Sequence, residues 1–293
     1  RLGATLLRTS KGKEQIAHDR MIPDFYSKID VLMHPCGPGR EGTSNVIMEA
    51  MALGLPVITT PHCGLHAELV IDGKNALIRD RNEMEFAEAV AMLQRDDRMA
   101  RKIGAEARTF AQTHHDIRTA AAQFNSIIRD SFQPRDRTEK TRRKIAFVPF
   151  WEPMENFGSS RLRALYPSQY LTSTDRYDIH IGYSEDADVV LVIQMCDDAI
   201  LDRLTANPGQ FLIYDVCDKY YENGRVFKHL TPPVDSIQRY GQLIDRADLV
   251  IVPTRELKAE VASRAPGKAV KYIAEPIDYG AATKPVRPFG DRT

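Results

Sequence analysis

Apolar residues along this chain fall in short unbroken runs, separated by stretches where they recur every three or four positions. In the first half the runs cover residues 4–7, 31–34, 57–60 and 76–78, the mark of strands buried on both faces. Residues 23–29, 45–53 and 65–71 between them carry the helical period, and Pro23 suits a first helical turn. Asn82, with Glu85 three residues on, predicts a helix start, after which Phe86, Val90 and Leu93 share one face. Two more helices are expected over 99–113 and 117–129, with Ile103, Phe110, Phe124 and Ile128 at core spacing. From residue 144 the alternation starts afresh. Strands are expected over 144–149, 179–182, 189–193, 211–215, 249–253 and 270–273, and helices over 160–170, 199–206, 234–247 and 255–264. Such alternation predicts an α/β protein with two Rossmann-like, doubly wound parallel-sheet domains.

The boundary is expected at residues 133–144, QPRDRTEKTRRK, which hold six basic and two acidic residues and no large apolar one. A segment of that composition cannot bury itself and reads as a solvated linker between domains 1–132 and 145–293. Its other reading is a basic stretch in peripheral contact with anionic lipid. The 293 residues suit two domains, and 43% hydrophobic content excludes a disordered chain. Forty basic residues against forty acidic ones remove the overall electrostatic footprint of a nucleic-acid binder. Apolar runs fall short of the roughly 20 residues of a membrane helix. Four scattered cysteines predict reduced thiols and a cytoplasmic location rather than a disulfide scaffold. The first residue is Arg1, which fits a piece of a longer chain.

Candidate chemistry concentrates in residues 35–56, PCGPGREGTSNVIMEAMALGLP. The segment leaves a buried strand, turns through glycines, and enters a helix opening with Thr43, Ser44 and Asn45. A helix start exposes unpaired amides with about half a positive charge, a natural seat for phosphate. Gly37, Gly39 and Gly42 spell the dinucleotide fingerprint, which would make the chain a nucleotide-dependent oxidoreductase. That reading is disfavoured, because the next strand ends at Thr59-Thr60 and Pro61-His62 follow where an acid is needed. The acids point elsewhere. Glu41 lies in the turn and Glu49 on the helix, roughly 7 Å along the axis from Ser44. A diphosphate at the helix end would bring a ribose within reach of the Glu49 carboxylate, with Glu41 facing the group beyond the phosphates. The bland reading places both acids near a helix start merely because negative charge is favoured there.

The run EGTSNVIMEAMALGLPVITT, with MIPDFYSKIDVLMHP before it and GLHAELVIDGKNALI after it, resembles the donor-binding segment of retaining glycosyltransferases of the GT-B fold, family 4 group, with its E-x7-E motif. The resemblance covers roughly residues 20–130. It implies that Glu49 binds the ribose of a nucleotide-sugar, and that Glu41, the catalytic residue, contacts the hexose hydroxyls of the donor. The amides of Gly42, Thr43, Ser44 and Asn45 would hold the diphosphate. It implies no metal and no further cofactor. The chain departs from the pattern at Pro61-His62-Cys63-Gly64, where the family usually has a glycine pair, and Arg8–Gln15 (RTSKGKEQ) cannot supply the Gly-Arg turn and Lys that open such a domain. The first domain is therefore expected to be incomplete at its amino end.

Residues 145–280 resemble the acceptor-side, amino-terminal domain of the same superfamily through GSSRLR at 158–163, DADVVLVIQ, IYDVCDKYYE, RADLVIVPTRELKAEVASR and KYIAEPIDYG. Gly158, Ser159 and Ser160 suit close approach to a phosphate, to which Arg161 would add charge. Arg161 and Arg163 otherwise read as a solvated helix face. Asp215 and Asp218 read first as structural and second as ligands for acceptor hydroxyls. The order donor domain then acceptor domain reverses the family's, as in a fragment of a tandem fusion cut inside each half. A zinc site from His34, Cys36, His62, Cys63 and His66 is disfavoured by their spacing. His114-His115 read as partners of a helix dipole, and Trp151 and Phe157 as packing or sugar-stacking groups. The function expected is hexose transfer from a nucleoside diphosphate sugar to a glycan or lipid-linked acceptor. The alternative is a non-catalytic GT-B-like scaffold.

Overall fold

The structure is a computed structural model that describes residues 10–11, 14–15, 20–37, 43–61, 70–131, 142–150, 154, 158–217 and 236–277. The chain divides into two compact units. The first runs to Asp116 and resumes at Ile277, and the second is Ile117–Pro276. Among the described residues, no helix is long and apolar enough to cross a membrane.

In the first unit, β1 (Ser10–Lys11) and β2 (Glu14–Gln15) make a small antiparallel hairpin. The main sheet is parallel and three-stranded, in the order β3 (Leu32–His34), β4 (Val57–Thr59), β5 (Leu77–Ile78). Before it, the single helix expected over 23–29 is broken. The α-turn α1 (Met21–Asp24) gives way to a 3-10 turn at Tyr26–Lys28, because Phe25 leaves helical geometry at φ −124°. The break lets two adjacent aromatics turn inward, and Phe25 and Tyr26 are both buried with edge-to-face rings 5.3 Å apart. Helix α2 (Asn45–Ala52) crosses from β3 to β4, burying Ile47, Met48, Ala50, Met51 and Ala52. The helix expected to reach residue 71 does not do so: Val70 and Ile71 lead into a turn in which Gly73 has φ 74°.

Helix α3 (Glu83–Arg95) starts as expected, with the Asn82 side chain accepting from the Glu85 amide at 2.8 Å. In α4 (Asp97–His114) the Asp96 carboxylate caps the Met99 amide. Helix α4 passes so close to the turn after α2 that a Cβ at Gly104 would run into the Gly54 carbonyl. Gly54 itself has φ 77°, so both partners of this contact need glycine. His114 ends α4 as a last-turn basic residue, while His115 is buried beyond it and its carbonyl accepts from the Ile277 amide at 2.7 Å.

Helix α5 (Ile117–Ser131), which the sequence pattern attaches to the first half, packs in the second unit. Ala120, Phe124, Ile127 and Ile128 lie in one core with Ile145, Phe147, Val189 and Leu191, and Tyr177 donates its hydroxyl to Asn125 at 2.6 Å. The alternation along the chain registers an apolar stripe but not which sheet it covers. Residues 133–141 of the expected linker lie outside the described residues, and its last two residues already belong to a strand.

The second unit is a six-stranded parallel sheet in the order β11-β10-β9-β8-β6-β7, comprising β6 (Arg143–Pro149), β7 (Tyr177–Ile181), β8 (Val189–Ile193), β9 (Phe211–Asp215), β10 (Leu249–Val252) and β11 (Val270–Tyr272). Neighbouring strands pair in parallel throughout. Side chains alternate between its faces with period two. Ala146, Val190, Val192, Leu212 and Val250 face the core under α8 (Asp198–Ala206), α9 (Ser236–Arg246) and α10 (Arg255–Arg264). Ile145, Phe147, Val189, Leu191 and Ile251 face α5 and the helical stretch after β6. That stretch begins as α6 (Gly158–Ser160), widens to a π-turn at Arg161–Leu165, and continues as α7 (Tyr166–Ser173). Two parallel sheets clad in helices confirm the expected α/β, Rossmann-like class.

Candidate functional site

The first site gathers at the carboxyl end of β3 and the start of α2. Ser44 occupies the N-cap in extended geometry (φ −82°, ψ 106°), yet its hydroxyl makes no capping bond to the helix. The Oγ sits 3.2 Å from Nε2 of His34, the last residue of β3. The first-turn amides of α2 therefore receive no cap from this side chain, and helix geometry gives them no partner within the helix. That end of the helix carries positive partial charge. The strand end is held by its own ladder of hydroxyls. Thr59 Oγ1 donates to the His34 carbonyl at 3.0 Å, and Thr60 Oγ1 to the Cys36 carbonyl at 2.9 Å.

Glu49 lies four residues beyond Asn45 and so shares its side of the helix. Its side chain is half-buried, and Oε2 accepts from the Tyr26 hydroxyl at 2.7 Å. Tyr26, fully buried, also places its hydroxyl 3.3 Å from the Val46 carbonyl. The broken helix at Phe25 thus fixes the expected ribose ligand from beneath, a contact that no spacing in the sequence signals. Of the donor-binding set, Thr43, Ser44 and Asn45 stand at the start of α2 and Glu49 about one turn further along it. Glu41 and Gly42 lie outside the described residues.

In the second unit the order of strands reverses at β6, whose neighbours β7 and β8 lead the chain to opposite sides. The carboxyl ends of β6 and β8 thereby flank a switch point, where doubly wound sheets bind ligands. Gly158 and Ser159 are half-buried at the helix start there, and Ser160 is fully buried, its Oγ without a hydrogen-bond partner among the described atoms. Arg161 and Arg163 depart from the solvated-face reading. Arg161 is buried, and Arg163 is entirely enclosed.

Arg163 forms a bidentate pair with Asp215, Nε to Oδ2 at 2.9 Å and Nη2 to Oδ1 at 2.8 Å, and donates through Nη1 to the Ile273 carbonyl at 2.9 Å. The guanidinium also lies 5.3 Å from the centre of the Phe124 ring. Burial alone would lower the Arg163 pKa, but the charges of Asp215, Glu275 and Cys217 outweigh it and hold the group cationic. Burial pushes the Asp215 carboxyl up while Arg163 opposes it, and the two-point geometry keeps the pair ionised. Both Asp215 oxygens are engaged, which supports its structural reading over acceptor binding. Asp218, Trp151 and Phe157 lie outside the described residues.

Sequence reasoning passed over Gln194. It follows β8 in left-handed geometry, φ 67°, where a non-glycine residue is strained. Three bonds hold it: its amide donates to the Asp215 carbonyl, its Oε1 accepts from the Cys217 amide, and its carbonyl accepts from the Tyr214 hydroxyl. Only its place at a strand end beside the switch point could have drawn attention to it. Of the zinc candidates, His62, Cys63 and His66 lie outside the described residues. Among those described, no three His, Cys, Asp or Glu side chains are grouped to hold a metal.

Residues 10–96 match the family model for glycosyl transferases group 1. No curated protein and no solved structure matches the chain.

Proposed function

We propose that this chain, whose residues 10–96 are a group 1 glycosyltransferase segment, forms the donor side of a retaining transferase that moves a hexose from a nucleoside diphosphate sugar to a glycan or lipid-linked acceptor. One observation carries the reading. A braced, half-exposed carboxylate, Glu49, stands on the same helix whose start is left uncapped by Ser44. A ribose gives two hydroxyls to Glu49, and the diphosphate rests against the amides of Gly42, Thr43, Ser44 and Asn45. When the bond between the sugar carbon and the phosphate oxygen breaks, its electron pair goes to the diphosphate, the acceptor oxygen bonds to the same carbon, and the acceptor's proton passes to the departing phosphate oxygen. The helix amides receive part of that charge without rearranging. Glu41 contacts the hexose and orients it toward the acceptor oxygen.

In the second unit Gly158–Ser160, at the start of the helical stretch, would receive a phosphate-bearing ligand of that unit's own switch point, supported by the buried Ser160 hydroxyl that a ligand oxygen would satisfy. Arg161 lends charge from behind it rather than from a solvated face. Calorimetry with UDP and GDP tests the donor site. Glu49→Ala is expected to abolish nucleotide binding, and unchanged affinity would refute the ribose assignment. Absence of binding by the unmodified chain would favour a scaffold.

A further inference from the structure

We propose that Tyr26 is a positioning residue for nucleotide recognition, acting only through the carboxylate of Glu49; the inference rests on the donor-site reading above. The two side chains come from elements 23 residues apart in sequence and meet at 2.7 Å. Tyr26 has one hydroxyl proton, and the 2.7 Å contact to Glu49 Oε2 takes it over the 3.3 Å contact to the Val46 carbonyl. A carboxylate offers about four acceptor positions, so the bond from Tyr26 alone does not exhaust them. Tyr26 is fully enclosed and wedged edge-to-face against Phe25, so its oxygen cannot follow the carboxylate if that group swings. The half-exposed Glu49 is accordingly tethered by Tyr26 while part of it meets solvent. Such a tether removes the rotamer search that a glutamate on a helix surface would otherwise make on binding a diol. The ligand feature read by the pair is a vicinal diol, the 2′ and 3′ hydroxyls of a ribonucleoside diphosphate.

The full chain is titrated with UDP and GDP and with their 2′,3′-dideoxy counterparts, in unmodified, Tyr26→Phe and Glu49→Ala forms. The unmodified chain should prefer the ribonucleotide at least tenfold, and Glu49→Ala should erase that preference. Tyr26→Phe should weaken the ribonucleotide by about three- to tenfold, the scale of one lost bond to a charged group spread over a still-present carboxylate. It should leave the dideoxy affinity unchanged. Equal losses on both ligands would mark Tyr26 as merely structural and overturn the inference. So would a Tyr26→Phe chain that keeps the full preference while Glu49→Ala loses it. A preference that survives Glu49→Ala, or an unmodified chain that binds no nucleotide, would instead bring down the donor-site reading and the inference with it. If Tyr26→Phe folds poorly, 4-aminophenylalanine at position 26 fills nearly the same volume and keeps an N–H donor for Glu49. That chain should retain the ribose preference, and its loss would overturn the inference.

Discussion

Replacing Arg163 with methionine is expected to unfold the second unit more readily than any surface change could. The guanidinium and the Asp215 carboxylate are both fully enclosed, so neither has water to fall back on. Removing the cation leaves a buried anion that had accepted two charge-assisted bonds, and leaves the Ile273 carbonyl without its donor. Breaking a buried pair from one side costs about 3–5 kcal/mol. Domains of this size hold about 5–15 kcal/mol in all, so the loss is a large share. Urea unfolding followed by the protection of the buried β8 and β9 amides from hydrogen exchange reads the unit concerned. With a slope of about 1–3 kcal/mol per molar urea, the midpoint should fall by at least about 1 M. The double change Arg163→Met with Asp215→Leu removes both charges together and should recover most of that loss. A shift below about 0.3 M in the single variant, or a double variant no better than the single, would refute the claim that the pair is buried and mutually dependent.

The close pass of α4 against the turn after α2 makes a prediction of sign. Gly104→Ala should gain about 1 kcal/mol from helix propensity, yet its Cβ would meet Gly54 backbone that cannot retreat. The net is expected to be destabilising by roughly 1–3 kcal/mol, and a raised melting temperature would show that the helices do not touch there. Asp186, paired with Lys144 and accepting from Ser184, has its pKa drawn from the ordinary 3.8 down to about 2 by those hydrogen bonds. A carboxylate with a depressed folded pKa adds stability that is fully present above the unfolded value and is lost as pH falls through the folded one. Asp186→Asn should therefore flatten the dependence of stability on pH between about 4 and 2, and an unaltered slope would show the pairing to be absent in solution.

Much of the fold was legible because burial leaves a local trace. Strands such as Val189–Ile193 and Leu249–Val252 read as unbroken apolar runs since both faces of a parallel sheet are covered. Caps such as Asn82 announce a helix within three residues. Of the candidate site, Ser44 at the start of α2 and Glu49 on that helix lie where local spacing puts them, since neighbours in sequence need no tertiary contact to be brought together.

What tertiary structure decided are the meetings of residues far apart along the chain. Nothing local distinguishes an arginine on a wet helix face from one that reaches a carboxylate 52 residues away and a carbonyl 110 residues away, as Arg163 does. Nor does an apolar stripe say which sheet it will cover, and so α5 went to the second unit. Tyr26 would pass for one more core aromatic until the fold laid its hydroxyl under Glu49. Periodicity records that a side chain leaves water; only the packed chain records what it meets there.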